Sequence, residues 1–412
     1  MKKIVISCLM ILLILSSSCS KKELINDTTF PPEMSAENIV GGLNDFSFDL
    51  YHALNSGGSV NEFYSALSIS AAFAMTYAGA KNETANEMSD VLNYGPQNKH
   101  FHALYGKMLD SLSQKTEDFE INIANAIWLE ENFKLLKKYQ KIVSEDYRSE
   151  SQLLDFVNAA EASRKVINNW VEYQTNNKIK DLIPEGVLDA DTRMVLTNAV
   201  YFNAEWANMF NEKMSKKDIF HLLDGSETTC DMMYQRHHYP YSKTSSHAIL
   251  EIPYKGYDYS MLIVLPRTNQ GLKQEAKTLS SAALKQHDKN KTSEDVLLYM
   301  PKFKLESNYQ LASILKRMGL KEAFSANADF SGISGNKDLY ISDAIHKAFI
   351  EVDEKKTEAA AATGLVMKLT SMAPVHKAPL EFRADHPFTF MIRHNKTKAI
   401  IFMGQLTEPE IQ

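Results

Sequence analysis

The run of small side chains at residues 357–364 (TEAAAATG) constrains the fold more than any other feature of this sequence. Because alanine is the best helix former, propensity alone predicts a short helix. The run is brief, however, and leads into residues 366–371, which favour an extended chain. With the two-residue period of a strand, one face carries only small side chains: Thr357, Ala359, Ala361 and Thr363. Besides a helix, the segment can therefore form an exposed loop or a central strand.

The composition is that of a soluble globular protein. The chain has 412 residues, of which 44% are hydrophobic and 23% charged, and its net charge is −6. This balance excludes a largely disordered chain and argues against a nucleic-acid binder, which needs clustered Lys and Arg. Helical patterns dominate the first half and strand patterns the remainder, without a change of composition that would mark a boundary. We therefore expect one large α+β domain.

Hydrophobic periodicity predicts the main elements of that domain. An almost wholly apolar stretch predicts a central helix at 67–77, and Trp170 lies on a second helix at 166–174. The predicted strands are 121–129, 194–202, 259–265, 296–305, 388–393 and 399–404. A helix at 309–318 is expected to follow the fourth of these strands.

The N-terminus has the pattern of an export signal. Two lysines precede an apolar run at 4–15, and three serines then lead to Cys19. This junction resembles a bacterial lipobox, so we expect a lipoprotein-type signal peptide at 1–18 and lipid on Cys19; the alternative is a plain signal with an incidental cysteine. A polar tether is expected at 19–42 and the folded domain at 43–410. The protein would then be exported, either as an outer-membrane lipoprotein of the cell envelope, held by its lipid alone, or as an extracellular protein.

A search for catalytic and metal-binding motifs finds none. The sequence lacks His-Glu-x-x-His, the phosphate-binding and dinucleotide-binding glycine motifs, Cys-x-x-Cys and Gly-x-Ser-x-Gly. His237 and His238 are adjacent, so on a strand they point to opposite faces and cannot share a metal. Cys8 leaves with the signal and Cys19 is expected to be acylated, which leaves Cys230 without a disulfide partner. We predict no enzyme activity, no metal and no cofactor.

Several phrases, in order, resemble the serpin family of serine protease inhibitors, from about Asn44 to about Pro409. They are SALSISAAFAMTYAGAKNET (65–84), TRMVLTNAVYFNAEW (192–206), DFSGIS (329–334), HKAFIEVDE (346–354), EVDEKKTEAAAAT (351–363) and ADHPFTFMIRHNKTKAIIFMGQLTEP (384–409). The resemblance implies the serpin fold, a single domain with three β-sheets, about eight to nine helices and an exposed reactive-centre loop.

The resemblance also implies a mechanism. A target protease cuts the loop and forms an acyl-enzyme, and the cut loop then inserts into the central sheet and distorts the protease. The expected partners are serine proteases, with cysteine proteases as a further class, and the inhibitor is expected to be a monomer. The alternative is a non-inhibitory serpin that acts as a binding protein or folding factor.

The family pattern assigns roles to particular residues. It implies a polar cluster where the sheet opens, formed by Ser65, Ser68, Asn198 and His346, and a loop-entry site at Trp206. The implied hinge consists of Glu354, Lys356, Thr357, Glu358, Ala359, Ala360, Ala361, Ala362 and Thr363. Lys356 stands where the family commonly has glycine. The loss of glycine's backbone freedom at this position favours slower insertion, whereas the alanine run favours insertion.

The family's spacing from Glu354 places the reactive bond at Thr370–Ser371. Since loop lengths vary, Lys368–Leu369 and Leu369–Thr370 remain open. Lys368 would suit a trypsin-like protease, and its apolar neighbours or Thr370 would suit chymotrypsin-, elastase- or subtilisin-like enzymes.

Overall fold

A computed structural model describes residues 35–54, 60–95, 100–112, 119–149, 151–355 and 378–409. Its α-helices are α1 (Ala36–Leu54), α2 (Ala66–Tyr77), α3 (Asn82–Val91), α4 (Phe101–Leu112), α5 (Lys137–Tyr147), α6 (Phe156–Gln174), α7 (Leu272–Thr278), α8 (Ser281–Asn290), α9 (Leu311–Met318) and α10 (Ser331–Ser334). Its strands are β1 (Glu62–Tyr64), β2 (Phe119–Glu130), β3 (Ser151–Leu154), β4 (Met194–Ala204), β5 (Lys216–His221), β6 (Glu227–Lys243), β7 (His247–Pro253), β8 (Tyr259–Pro266), β9 (Thr292–Pro301), β10 (Phe303–Gln310), β11 (Asp343–Val352), β12 (Leu380–Arg383), β13 (Phe388–His394) and β14 (Ile400–Leu406).

A five-stranded sheet positions the predicted site. Its order is β10-β11-β4-β2-β3. The neighbours β11 and β4 run parallel, whereas β10 is antiparallel to β11 and β2 is antiparallel to β4. The sheet therefore has a parallel junction near its centre, between β4 and β11.

The remaining strands form a nine-stranded sheet in the order β1-β14-β13-β8-β7-β6-β9-β12, with β5 also paired to β6. Strand β6 has 17 residues and bonds to β5, β7 and β9, so it joins what would otherwise be two separate sheets. Strand pairing in the described residues therefore runs through two continuous sheets, the larger of which comprises two of the three expected sheets joined through β6. The described residues also contain ten α-helices instead of eight or nine, since short turns such as the four-residue α10 count as helices.

Helix α2 is the central helix of the fold. All twelve of its residues are buried, as its almost wholly apolar sequence predicts, and it packs against both sheets through β2, β4 and β14. Ser65 caps its N-terminus by accepting a hydrogen bond from the Ser68 backbone N–H. The N-terminal end of helix α2 therefore places both Ser65 and Ser68 between the two sheets.

Two boundaries differ from those that the sequence predicts. Helix α1 begins at Ala36 and buries Ile39 and Val40, so the expected limit of the tether at residue 42 falls inside a helix. The single strand expected at 296–305 is two strands in different sheets, β9 and β10, because the chain changes sheet at Lys302. The α+β fold class itself is confirmed. Among the described residues, no helix combines the length and apolar character needed to cross a membrane.

Candidate functional site at the parallel junction

The register of the five-stranded sheet aligns a row of polar side chains across four strands. Tyr309 on β10 lies opposite His346 on β11, which lies opposite Asn198 on β4, which lies opposite Asn125 on β2. Directly opposed residues on neighbouring strands point to the same face. The row therefore brings His346 and Asn198 together across the parallel junction.

Hydrogen bonds connect this row to helix α2. The Ser65 backbone N–H donates to His346 Nε2 at 3.1 Å, so the ring proton is assigned to Nδ1, which donates to Asn198 Oδ1. Asn198 Nδ2 donates to Ser68 Oγ at 2.6 Å and to Asn125 Oδ1 at 2.5 Å. The four residues that the family pattern assigns to the sheet opening thus lie together in one hydrogen-bond network. We refer to Ser65, Ser68, Asn125, Asn198 and His346 as the junction cluster.

Asn125 belongs to the junction cluster although the sequence analysis did not identify it. Its Oδ1 accepts from Ser68 Oγ at 2.9 Å and its Nδ2 donates to the Ser68 carbonyl at 3.0 Å. The available signal was an amide in the middle of an alternating apolar strand (INIANAIWL). That signal becomes specific only when the register places Asn125 beside Asn198.

The imidazole of His346 is fully buried and neutral. Burial lowers the pKa of His346 from 6.5 to about 3, although its hydrogen bond to Asn198 acts in the opposite direction. A neutral ring can donate from one nitrogen and accept at the other, as this network requires. Tyr309 stacks on the ring with a centroid distance of 6.2 Å.

The end of β11 is held by Trp206 and its neighbours. Trp206 Nε1 donates to the Asp353 carbonyl at 2.9 Å, and the indole stacks on Tyr254 at 4.6 Å between centroids. The Phe210 N–H donates to the Glu354 carbonyl at 3.1 Å. The predicted loop-entry residue Trp206 therefore contacts the backbone from which residues 356–377 continue.

Glu354 is buried and forms an ion pair with Lys302, with 2.7 Å between Oε1 and Nζ. Burial by itself would raise the pKa of Glu354, but the Lys302 ammonium and the polar Ser215 side chain outweigh it and lower the pKa. Breaking this pair would leave a buried charge without compensation. Together with Trp206, the pair therefore fixes the chain immediately after β11.

Beyond Phe349 and Tyr201 the register pairing of β11 and β4 stops. A small cavity occupies the place where the strands diverge, lined by Phe202, Ala204, Trp206, Tyr254, Ile350, Glu351, Val352 and Asp353. The parallel junction is thus already open at the end next to Trp206 and closed by the junction cluster farther along.

The outer face of the junction is covered by the chain that follows α6. Val195, Ala199 and Tyr201 on β4, and Ile345 and Phe349 on β11, pack in one apolar cluster with Ile179, Leu182, Ile183 and Leu188. Lys347 Nζ on β11 donates to the Lys180 carbonyl at 2.8 Å. Any strand that enters the junction must therefore displace these contacts.

The other predicted site residues lie outside the described residues. These are Lys356, Thr357, Glu358, Ala359, Ala360, Ala361, Ala362 and Thr363 of the hinge, Lys368, Leu369, Thr370 and Ser371 at the reactive bond, and Cys19 at the lipidation site.

One group of acidic and histidine side chains within the described residues has the spacing of a metal site. It consists of Glu251, His287 and Asp288. Arg393 already bonds to Glu251 at 2.7 Å and to Asp288 at 2.8 Å, and Lys291 bonds to Glu251 at 2.8 Å. Because two cations occupy the position a metal would take, we interpret the group as a buried ion-pair network that joins α8 to β7 and β13.

Comparisons with known proteins agree on one family. A model of that family, described as serpin (serine protease inhibitor), matches residues 42–409. The leukocyte elastase inhibitor of Xenopus tropicalis is 38% identical over 382 residues, which cover 90% of this chain and 100% of that protein. Uncleaved ovalbumin has a TM-score of 0.82 at 30% identity, over 90% of this chain and 100% of that one. Human thyroxine-binding globulin, solved with thyroxine, has a TM-score of 0.81 at 29% identity, over 92% of this chain and 100% of that one.

Proposed function

Because the chain belongs to the serpin family, we propose that it is a suicide inhibitor of serine proteases that inserts its cleaved loop between β4 and β11. The protease hydroxyl bonds to a loop carbonyl carbon, and the peptide C–N bond breaks with proton transfer to the leaving amine through the protease histidine. The acyl-enzyme then remains attached while the loop inserts. The inhibitor contributes no catalytic group.

The observation that carries the proposal is the parallel junction between β4 and β11. Seven residue pairs join the two strands, from Asp343 with Val195 to Phe349 with Tyr201. Since the neighbours are parallel, a strand that returns from the end of β11 would run antiparallel to both. One parallel ladder would be exchanged for two antiparallel ladders, which are slightly more stable per residue.

The free energy of this exchange can be approximated. Replacing a ladder of about seven hydrogen bonds by two such ladders adds about seven bonds, and each contributes about 1 kcal/mol net. The total of about 7 kcal/mol is comparable with the whole stability of a folded protease, about 5–15 kcal/mol. Insertion can therefore supply enough free energy to disrupt an acylated active site.

Residues 357–363 suit the inserted state. Their inward face would carry Thr357, Ala359, Ala361 and Thr363, none of which needs more room than the strands of a packed sheet provide. Trp206 and the Glu354–Lys302 pair hold the chain where insertion would start. We propose trypsin-, chymotrypsin-, elastase- and subtilisin-like enzymes as targets, because the loop offers both Lys368 and apolar side chains, and a monomer as the active form.

A direct experiment incubates the purified protein with each of these four proteases and separates the products under denaturing conditions. Inhibition by insertion predicts a covalent adduct that survives SDS and a stoichiometric loss of protease activity. Mass spectrometry of the released C-terminal peptide would identify the bond among Lys368–Leu369, Leu369–Thr370 and Thr370–Ser371.

A matched pair of variants tests whether insertion is responsible. Thr357→Arg would place a charge on the inward face, so it should turn the inhibitor into a substrate that is cut at the same bond. Glu358→Arg makes a similar change on the opposite face and should retain inhibition. If both variants inhibit like the parent chain, the trapping step does not depend on insertion.

The second candidate is a non-inhibitory binding protein or folding factor. The similarity to thyroxine-binding globulin, which was solved with thyroxine, favours it. This candidate predicts clean cleavage of the loop by active protease without an adduct.

We also propose that the protein is exported and held at a bacterial cell envelope by lipid on Cys19, the alternative being an extracellular form cut by a plain signal peptidase. The basic, apolar and serine-rich N-terminus supports this proposal. Expression in a Gram-negative host with labelled palmitate should label the parent chain and leave Cys19→Ser unlabelled. Equal labelling would contradict the assignment.

A further inference from the structure

Strand β1 carries a buried carboxyl group that the proposed mechanism does not use. Glu62 is 5% exposed, and its Oε2 has no hydrogen-bond partner among the described residues. Buried carboxylates are normally paired with a cation or with several donors. A buried acid without such partners is favoured in its neutral form.

No cation among the described residues acts on Glu62. Gln405 of β14 lies directly opposite in the register, and Tyr64 of β1 and Tyr309 of β10 lie close enough for the Glu62 charge to act on their hydroxyls. Burial alone raises the pKa of Glu62 from 4.5 to about 7, without a described cation to offset it. Burial chiefly, and the Glu62 charge to a smaller extent, raise the pKa of both Tyr64 and Tyr309. The carboxyl group therefore lies within electrostatic range of the tyrosine that stacks on His346.

Strand β1 is only three residues long, and it connects the two sheets. It pairs with β14 on one side, and on the other the Phe63 N–H donates to Ser307 Oγ of β10 at 3.2 Å. The residue that follows β1 is Ser65, whose backbone N–H donates to His346. A displacement of β1 would therefore act directly on the junction cluster.

We propose that Glu62 is a proton-dependent lock on β1. The neutral acid keeps β1 seated between the sheets, and release of its proton to solvent loosens β1 and, through Ser65, the junction cluster. The inference concerns the intact fold and requires no protease, so it can succeed or fail independently of the proposed function.

The test measures urea unfolding of the full chain at pH 5.5 and pH 7.5 for the parent protein and for Glu62→Gln. A folded-state pKa raised from 4.5 to about 7 means that the folded form binds the extra proton, so stability falls as pH rises through this window. Relative to Glu62→Gln, the folding equilibrium constant of the parent should fall about 20-fold between the two pH values. Because His346 titrates in both proteins, its contribution cancels in the comparison.

Hydrogen exchange over residues 62–69 supplies a local readout. After correction for intrinsic rates, these amides should exchange faster in the parent than in Glu62→Gln at pH 7.5, and equally at pH 5.5. Glu62→Leu, which removes the polar group, should behave like Glu62→Gln. It serves as the reference variant if the amide of Glu62→Gln impairs folding. The proposal would be overturned if the free energy of unfolding had the same pH dependence in the parent and the variants. It would also be overturned if amide exchange over residues 62–69 were the same in the parent and the variants at pH 7.5.

Discussion

Replacement of Asn198 by alanine removes the amide at the centre of the junction cluster. Asn198 donates to Ser68 Oγ and Asn125 Oδ1 and accepts from His346 Nδ1. Three hydrogen bonds at about 1 kcal/mol each amount to about 3 kcal/mol, and the buried imidazole N–H that loses its acceptor adds at least about 1 kcal/mol. We expect Asn198→Ala to lower the free energy of unfolding by about 4 kcal/mol, a large part of the typical total of about 5–15 kcal/mol.

The assay is equilibrium urea unfolding of the intact protein at pH 7.5, followed by tryptophan fluorescence and circular dichroism. Asn203→Ala is the matched control, since Asn203 lies on the same strand but outside the junction cluster and is only partly buried. It should change the free energy of unfolding by less than about 0.5 kcal/mol. A double-mutant cycle with Asn125→Ala should give a coupling energy above 0.5 kcal/mol, as expected for residues in one network.

Two results would refute this reasoning. One is an Asn198→Ala protein as stable as Asn203→Ala, which would mean that the hydrogen bonds across the junction contribute nothing to closing it. The other is strict additivity of the Asn198 and Asn125 substitutions, which would mean that the two amides do not act together.

Further expectations concern His346, Trp206 and Cys230. Because burial lowers the pKa of His346 to about 3, the unfolded chain binds a proton that the folded chain excludes below pH 6.5. The contribution of His346 to stability should therefore fall by about 1.4 kcal/mol per pH unit as the pH is lowered from 6.5, opposite in sign to that of Glu62, so in urea titrations the parent should lose stability relative to His346→Gln. Trp206→Phe keeps an aromatic ring against Tyr254 but loses the hydrogen bond that holds the Asp353 carbonyl. Because this bond restrains the chain where insertion would start, the rate of adduct formation with protease should rise in stopped-flow measurements. Burial raises the pKa of Cys230 to about 11, so Cys230 should react with a thiol reagent at pH 7.5 only after denaturation, as located by peptide mass spectrometry.

Elements with continuous apolar patterns could be predicted from the sequence. Helix α2 and strand β4 are buried along nearly their whole length, and both were expected within two residues of their observed ends. Such segments have few alternatives, because their side chains can be accommodated only in the centre of the fold. The Ser65, Asn198 and His346 positions followed from family phrases and not from periodicity.

Features that depend on three-dimensional pairing could not be predicted. Asn125 became identifiable only through its register with Asn198. Glu62 occupies a buried strand position that sequence periodicity would assign to an apolar residue, and its isolation depends on the packing of β1 against two sheets. The passage of the chain from one sheet to the other at Lys302 has no signal in the hydrophobicity pattern, since apolar residues continue on both sides.

The capacity of the β4–β11 junction to accept an additional strand is tested most directly by comparing the melting temperatures of intact and loop-cleaved protein. Limited subtilisin digestion within residues 364–371, verified by mass spectrometry, would supply the cleaved form. With about 7 kcal/mol gained from the added ladder, the cleaved protein should melt higher by roughly 10 °C or more. Equal or lower melting of the cleaved form would contradict insertion at this junction.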